Sequence, residues 1–268
     1  MAEARINGFK MHYLDVGTGD PIVFLHGLGG NCYEWEGQME PFSRQFRVIA
    51  PDLRGHGRSD MPQTPTYTPF DHARDVVALL DALGIAKTWV VGLSAGGFVT
   101  LALAVHHPDR LRGIVLAATA PMVDADTRAV AERWAEIFRK EGVEAYLSRV
   151  TKDIFTLDFF LEHEKEVDHF LETQKHRNFA GIAPSGVGNL GFDVRSELPK
   201  IRIPTLAIHG LNDRVVDPAY ARRMRQAIPG AEVKLLPDTG HIVNVERPEE
   251  FNAAVLEFIT KERPLAIP

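Results

Sequence analysis

Apolar positions along the chain alternate between two patterns. Short, nearly unbroken apolar runs, PIVFLHG from Pro21, FRVIAPD from Phe46, TWVVGLS from Thr88 and GIVLAAT from Gly113, have the length and β-branched content of strands buried on both faces. Ahead of them, Asn7-Gly8 between ARI and FKMHYLDV reads as the turn of a β-hairpin. Between the runs lie helical periods. In residues 70–84 the apolar positions Val76, Val77, Leu79, Leu80 and Leu83 fall on one face, and Gly84 supplies a stop. Alternating buried strands and amphipathic helices predict an α/β core, a mostly parallel sheet covered on both faces.

The alternation stops after Pro121. From Met122 to Lys200 the chain is helical and charged, as in DTRAVAERWAEIFRKEG and DFFLEHEKEVDHFLETQK, and the strand and helix units resume at IPTLAIHG, AEVKLLPDTGH and PEEFNAAVLEFITKE. The expected organisation is one core formed by residues 1–121 and 201–268, with 122–200 inserted as a helical cap. Within the insertion Trp134, Phe138, Phe155, Phe159 and Phe160 are candidates for lining an apolar cleft; ordinary packing between helices would also use them.

Composition narrows the classes of partner. A chain of 268 residues with 45% hydrophobic and 25% charged residues is globular, and a net charge of −6 argues against a nucleic-acid partner. The 18 uncharged residues from Thr88 to Val105 are long enough for a membrane span, but Gly92, Gly96 and Gly97 within them argue against one. The first 16 residues contain no apolar signal-peptide core. Cys32 is the single cysteine, so no internal disulfide or thiolate metal cluster can form, and it is expected to be a small buried side chain. Together these features suggest a cytoplasmic protein.

Chemistry is concentrated at three strand ends. Gly92-Leu93-Ser94-Ala95-Gly96 follows the strand TWVV and precedes a helix, the setting in which G-x-S-x-G presents a nucleophilic serine on a sharp turn. The alternative is a tight turn in which Ser94 caps the helix. A serine hydroxyl needs a base and an orienting acid. Asp213, after TLAIHG, and His241, after EVKLLP, supply both in the order Ser, Asp, His. Asp217 and Asp124 compete as acids, Asp217 looking more like a helix cap. The glycine-rich His26-Gly27-Leu28-Gly29-Gly30 can offer backbone donors, so the N–H groups of Leu28 and Ala95 are the expected oxyanion hole.

These elements together resemble the α/β-hydrolase family over nearly the whole chain. The Ala50-Pro51-Asp52-Leu53-Arg54-Gly55-His56-Gly57-Arg58-Ser59-Asp60 string, the HGLND acid loop and the GHIVNVERPEEF ending carry the resemblance beyond the elbow. It implies the α/β-hydrolase fold, with an eight-stranded, mostly parallel sheet and a helical cap after the sixth strand. It also implies a small serine esterase or lactone hydrolase that needs no cofactor and no metal. The partner would be a small ester or lactone cleaved through an acyl-enzyme. Two alternatives remain: a C–C bond hydrolase of ring-cleavage products, whose pattern departs from this chain at Leu93 and Ile242, and a ligand receptor on a hydrolase scaffold.

Overall fold

The computed structural model describes residues 2–174 and 178–262. Positions 1 and 263–268, assigned above to the core, and 175–177 of the insertion, of which 175 ends its second helical stretch, lie outside the described residues.

Eight strands form one sheet: β1 (Ala2–Ile6), β2 (Phe9–Val16), β3 (Asp20–Leu25), β4 (Phe46–Pro51), β5 (Thr88–Leu93), β6 (Leu111–Ala117), β7 (Thr205–Gly210) and β8 (Glu232–Leu236), in the order β1-β2-β4-β3-β5-β6-β7-β8. The first two form the expected hairpin, with Asn7 and Gly8 both at positive φ, and β2 also runs antiparallel to β4. All other neighbours are parallel. Every residue of β5 and β7 is buried, which is why these strands read as continuous apolar runs.

Helices α1 (Glu36–Ser43), α2 (Pro69–Ala82), α3 (Ala95–His106), α8 (Ala219–Ala227), α9 (Val243–Glu246) and α10 (Pro248–Glu262) belong to the core. Thr68 and Asp71 form a reciprocal capping box that starts α2, and Gly84 follows its end at φ 67°. The long uncharged run divides into β5, the Ser94 turn and the 12-residue α3, which lies against β5 and β6 and buries nine of its residues. Its lack of charge reflects burial within the protein. Among the described residues no helix is long and apolar enough to cross a membrane.

Between β6 and β7 stand α4 (Ala125–Ile154), α5 (Leu157–Glu162), α6 (Glu164–Thr173) and α7 (Phe179–Asn189), and a bridge between Met122 and Asp193 closes their base. The second helical stretch of the insertion is therefore two helices broken at His163. Helix α4 is kinked at Gly142, whose φ of 85° and ψ of −171° leave the helical region. Small residues dock α7 on the core: a Cβ at Gly181 would collide with the Gly55 carbonyl, and one at Gly188 with that of Tyr67. The Tyr67 N–H also donates to the Pro184 carbonyl at 3.0 Å.

Candidate active site

The turn after β5 is strained where the serine sits. Ser94 has φ 53° and ψ −117°, a conformation that costs on the order of 1–3 kcal/mol for a residue with a Cβ. The backbone pins it there: its N–H donates to Ala117 O at 2.9 Å, and its carbonyl accepts from Gly97 N and Thr119 Oγ1, each at 2.8 Å. The Ser94 side chain makes no capping bond to α3, so the helix-cap alternative has no support in the geometry. The glycines are needed for close approach. A Cβ at Gly96 would collide with the Leu25 carbonyl, and one at Gly92 with Thr100 Oγ1 and the Gly96 carbonyl. Gly92→Ala is therefore expected to destabilise the fold by about 1–3 kcal/mol. Thermal unfolding would register this as a drop of roughly 2–4 °C in Tm per kcal/mol; an unchanged Tm would contradict so close a packing of β5 on α3.

Asp213 and His241 meet across 28 residues of sequence. Nδ1 of His241 lies 2.8 Å from Asp213 Oδ2. The carboxylate only accepts, so Nδ1 carries a proton, and in the neutral imidazole Nε2 is then the acceptor nitrogen. Asp213 is also held by groups that sequence reasoning missed. His209, at the end of β7, donates from Nε2 to Oδ2 at 2.9 Å, and the N–H groups of Val215 and Val216 donate to Oδ1 at 2.8 and 3.0 Å. Burial alone would raise the Asp213 pKa. The charge of His241 and the hydrogen bonds from His209 and His241 outweigh it and hold the carboxyl well below the usual carboxylate range. No sequence signal distinguishes His209, since a histidine in a buried strand has many uses.

The competing acids have structural partners elsewhere. Asp217 is exposed and accepts from Ala219 N at 2.8 Å at the start of α8. Asp124 caps α4 through Thr127 N at 2.8 Å and accepts the Tyr220 hydroxyl at 2.7 Å.

The glycine-rich loop after β3 is braced from two sides. Leu53 N donates to His26 Nε2 at 3.0 Å, which leaves Nδ1 to donate to the Gly27 carbonyl at 2.8 Å. The buried Glu34 accepts Gly27 N at 2.7 Å. A Cβ on Gly27 would lie 3.5 Å from Ser94 Cβ, so the loop passes directly beside the elbow. Leu28 follows Gly27, and Ala95 is the first residue of α3, where an N–H has no acceptor within the helix. Cys32 is fully buried beside Asp52, and burial and that carboxylate push its thiol far above its ordinary range, in keeping with a small buried side chain.

A cavity of about 280 Å³ opens between α4 and α7, with Leu28 in its wall. Trp134 and Phe138 line it with Ala131, Tyr146, Phe179 and Ile182 among others; Phe155, Phe159 and Phe160 do not. Phe155 instead stacks on Phe159 at 5.3 Å and meets Phe170 edge-on, as ordinary packing of the insertion on its own helices.

Comparison with known proteins adds to this geometry. A family model described as alpha/beta hydrolase fold matches residues 20–158 and 167–248. A protein of Caulobacter sp. (strain K31), provisionally named carbamate hydrolase RutD, is 32% identical over 90% of this chain and 91% of its own. The 3-oxoadipate enol-lactonase 2 of Acinetobacter baylyi (strain ADP1) is 31% identical over 91% of each chain. Among solved structures, the enol-lactonase from Burkholderia xenovorans LB400 superposes with a TM-score of 0.90 at 34% identity, covering 97% of this chain and all of that one.

Proposed function

The chain belongs to the alpha/beta hydrolase family, and from that premise we propose that it is a serine hydrolase of carboxylic esters or lactones with a neutral, apolar acyl group. The observation that carries this reading is the buried Asp213 to His241 hydrogen bond, at the same sheet edge as the strained Ser94 elbow. Strands β5, β6, β7 and β8 are neighbours, and the three residues follow the C-terminal ends of β5, β7 and β8, the edge at which open α/β sheets bind ligands.

In the proposed reaction Ser94 Oγ attacks the carbonyl carbon while His241 Nε2 takes its proton. Asp213 stabilises the imidazolium and keeps Nδ1 protonated. The oxyanion is held by the N–H groups of Leu28 and Ala95, the latter aided by the positive end of α3. Collapse of the tetrahedral intermediate expels the alkoxide, which leaves with the proton from His241. Water, activated by His241, then attacks the acyl-enzyme and releases the acid. Lactones follow the same steps with the alcohol still tethered. The names of the relatives, covering lactones and carbamates, describe cleavage at a carbonyl of this kind.

The cavity supports an apolar acyl group. Its described lining residues are almost all apolar and include no Lys, Arg or His that could pair with an anionic acyl chain; Glu132, the one acidic residue among them, is exposed. Its volume is close to the lower end of small-molecule pockets, roughly 300 Å³. A substrate panel tests the reading: alkyl p-nitrophenyl esters, neutral lactones, dicarboxylate lactones, carbamates and vinylogous diketo acids. Alkyl esters or neutral lactones are expected to turn over at about 1–10³ s⁻¹. Fast turnover on the diketo acids alone would replace ester cleavage by C–C cleavage, and single turnover on all of them would favour a ligand receptor.

A further inference from the structure

The end of helix α4 is gripped by both loops that carry the candidate acid and base. Arg214, beside Asp213, donates from Nη2 to the carbonyls of Lys152 and Phe155, each at 2.6 Å. His241 N donates to the Ile154 carbonyl at 2.8 Å. Glu246, on α9, accepts Thr156 N at 2.7 Å and Gly240 N at 2.9 Å. Residues 152–156 of the cap are thus bonded to the Asp213 loop on one side and to the His241 loop on the other.

In the middle of this gripped segment, Asp153 bonds the other arm of α4. It is 8% exposed, and its Oδ2 accepts from Trp134 Nε1 at 2.8 Å, Arg149 Nε at 3.0 Å and Arg133 Nη2 at 3.1 Å. Trp134 and Arg133 precede the Gly142 kink, and Asp153 follows it. The kink turns the chain back on itself so that residues 19 apart can meet. Among the described residues, apart from the neighbouring backbone of α4 itself, no heavy atom lies within 4 Å of a Cβ built at Gly142, so the outside of the bend is open there. The opposite wall of the cavity, α7, is seated on the core by Gly181 and Gly188; the α4 wall meets it where Phe138 stacks on Phe179 and Arg128 Nη2 donates to the Leu190 carbonyl at 2.8 Å, and Trp134 is held from the far arm of its own helix by Asp153.

From this arrangement we infer that Asp153 is a positioning residue that sets the width of the acyl pocket, by fixing the Trp134 indole and tying that wall to the loop carrying His241. The charge of Asp153 suits the role. A carboxylate bonding an indole N–H and two guanidinium groups holds the ring in one rotamer, and a charge-assisted bond is stronger than a neutral one. Arg133 and Arg149 are each nearly half exposed, so their ion pairs alone contribute little; the half-buried indole bond is the directional one. The inference rests on the proposed hydrolase reading for its kinetic consequence, but the pocket it describes can be tested without turnover.

Two measurements on Asp153→Ala, Trp134→Phe and the double variant test it. The first is kcat/KM for p-nitrophenyl esters of increasing acyl length. Asp153→Ala is expected to lose about tenfold on hexanoate and octanoate, mainly in KM, while acetate, which presents only a methyl group to the pocket, is expected to change by less than about twofold. Trp134→Phe keeps the apolar ring and loses the N–H, so it should shift the profile the same way, and the double variant should lose little more than either single one. The second is binding of the neutral fluorophore N-phenyl-1-naphthylamine to Ser94→Ala protein, with and without Asp153→Ala. The expected result is weakening by about fivefold or more. An equal fall on acetate and octanoate, or unchanged probe binding, would overturn the inference and reduce Asp153 to a structural ion pair. If wild type hydrolyses no ester yet probe binding depends on Asp153, the pocket inference stands and the hydrolase reading fails.

Discussion

Replacing Ser94 with alanine is expected to lower kcat for p-nitrophenyl butyrate by at least about 10⁴-fold while leaving the fold intact, since removing a nucleophile leaves only what the oxyanion donors and binding supply. The expectation of an intact fold is specific. The bonds that pin the elbow come from the Ser94 backbone and Thr119, and the side chain caps nothing. Alanine has the same Cβ in the same strained conformation, so Tm should move by no more than a few degrees. Turnover that survives in the variant, measured against enzyme-free controls, would remove Ser94 from the chemistry.

The second large effect is expected at Asp213. Asp213→Asn should lower kcat by roughly 10³–10⁴-fold, because the amide can no longer hold His241 in the tautomer with Nδ1 protonated or stabilise its charged form. Asp217→Asn, at an exposed helix start, should stay within a few-fold of wild type. The reverse order would move the acid to Asp217. The same substitution has a pH signature. The Asp213 carboxyl is held below its ordinary range in the folded protein, by His241 and His209 against the effect of burial. Its ionised form therefore contributes stability that is complete above the unfolded carboxyl pKa, about 4, and is lost as the pH falls through the lower folded value. Urea midpoints taken from pH 6 downward should fall less steeply below about 4 in Asp213→Asn than in wild type. Parallel slopes would contradict the coupling of this carboxylate to the two histidines.

Much of the architecture follows from local patterning. The hairpin at Asn7-Gly8, the buried strands and the break in alternation after Pro121 are visible because a covered strand must be apolar throughout and a tight hairpin needs residues that tolerate positive φ. The elbow is legible for the same reason: Gly92 and Gly96 mark places where a Cβ would strike neighbouring backbone. The insertion was legible as helical but not in detail. Its aromatics share one composition, yet Trp134 and Phe138 face the cavity while Phe155 and Phe159 stack on each other. Helical periodicity places residues on faces of a helix but does not say which face meets which neighbour once the chain bends at Gly142.

The sequence by itself determined the strand and helix units, the break in their alternation after Pro121, and the loops in which serine, aspartate and histidine stand, because each depends on patterning within a few residues. Tertiary structure alone decided which groups those side chains meet. His209 reaches Asp213, Glu34 and His26 brace the loop beside Ser94, and Asp153 reaches Trp134 across the kink. His209 stands only four positions before Asp213, but Val215 and Val216, which follow Asp213, bond its carboxylate through backbone N–H groups, which no choice of side chain reveals. Such contacts depend on packing directions between elements, and the energy that selects them comes from burying polar groups only where partners await them.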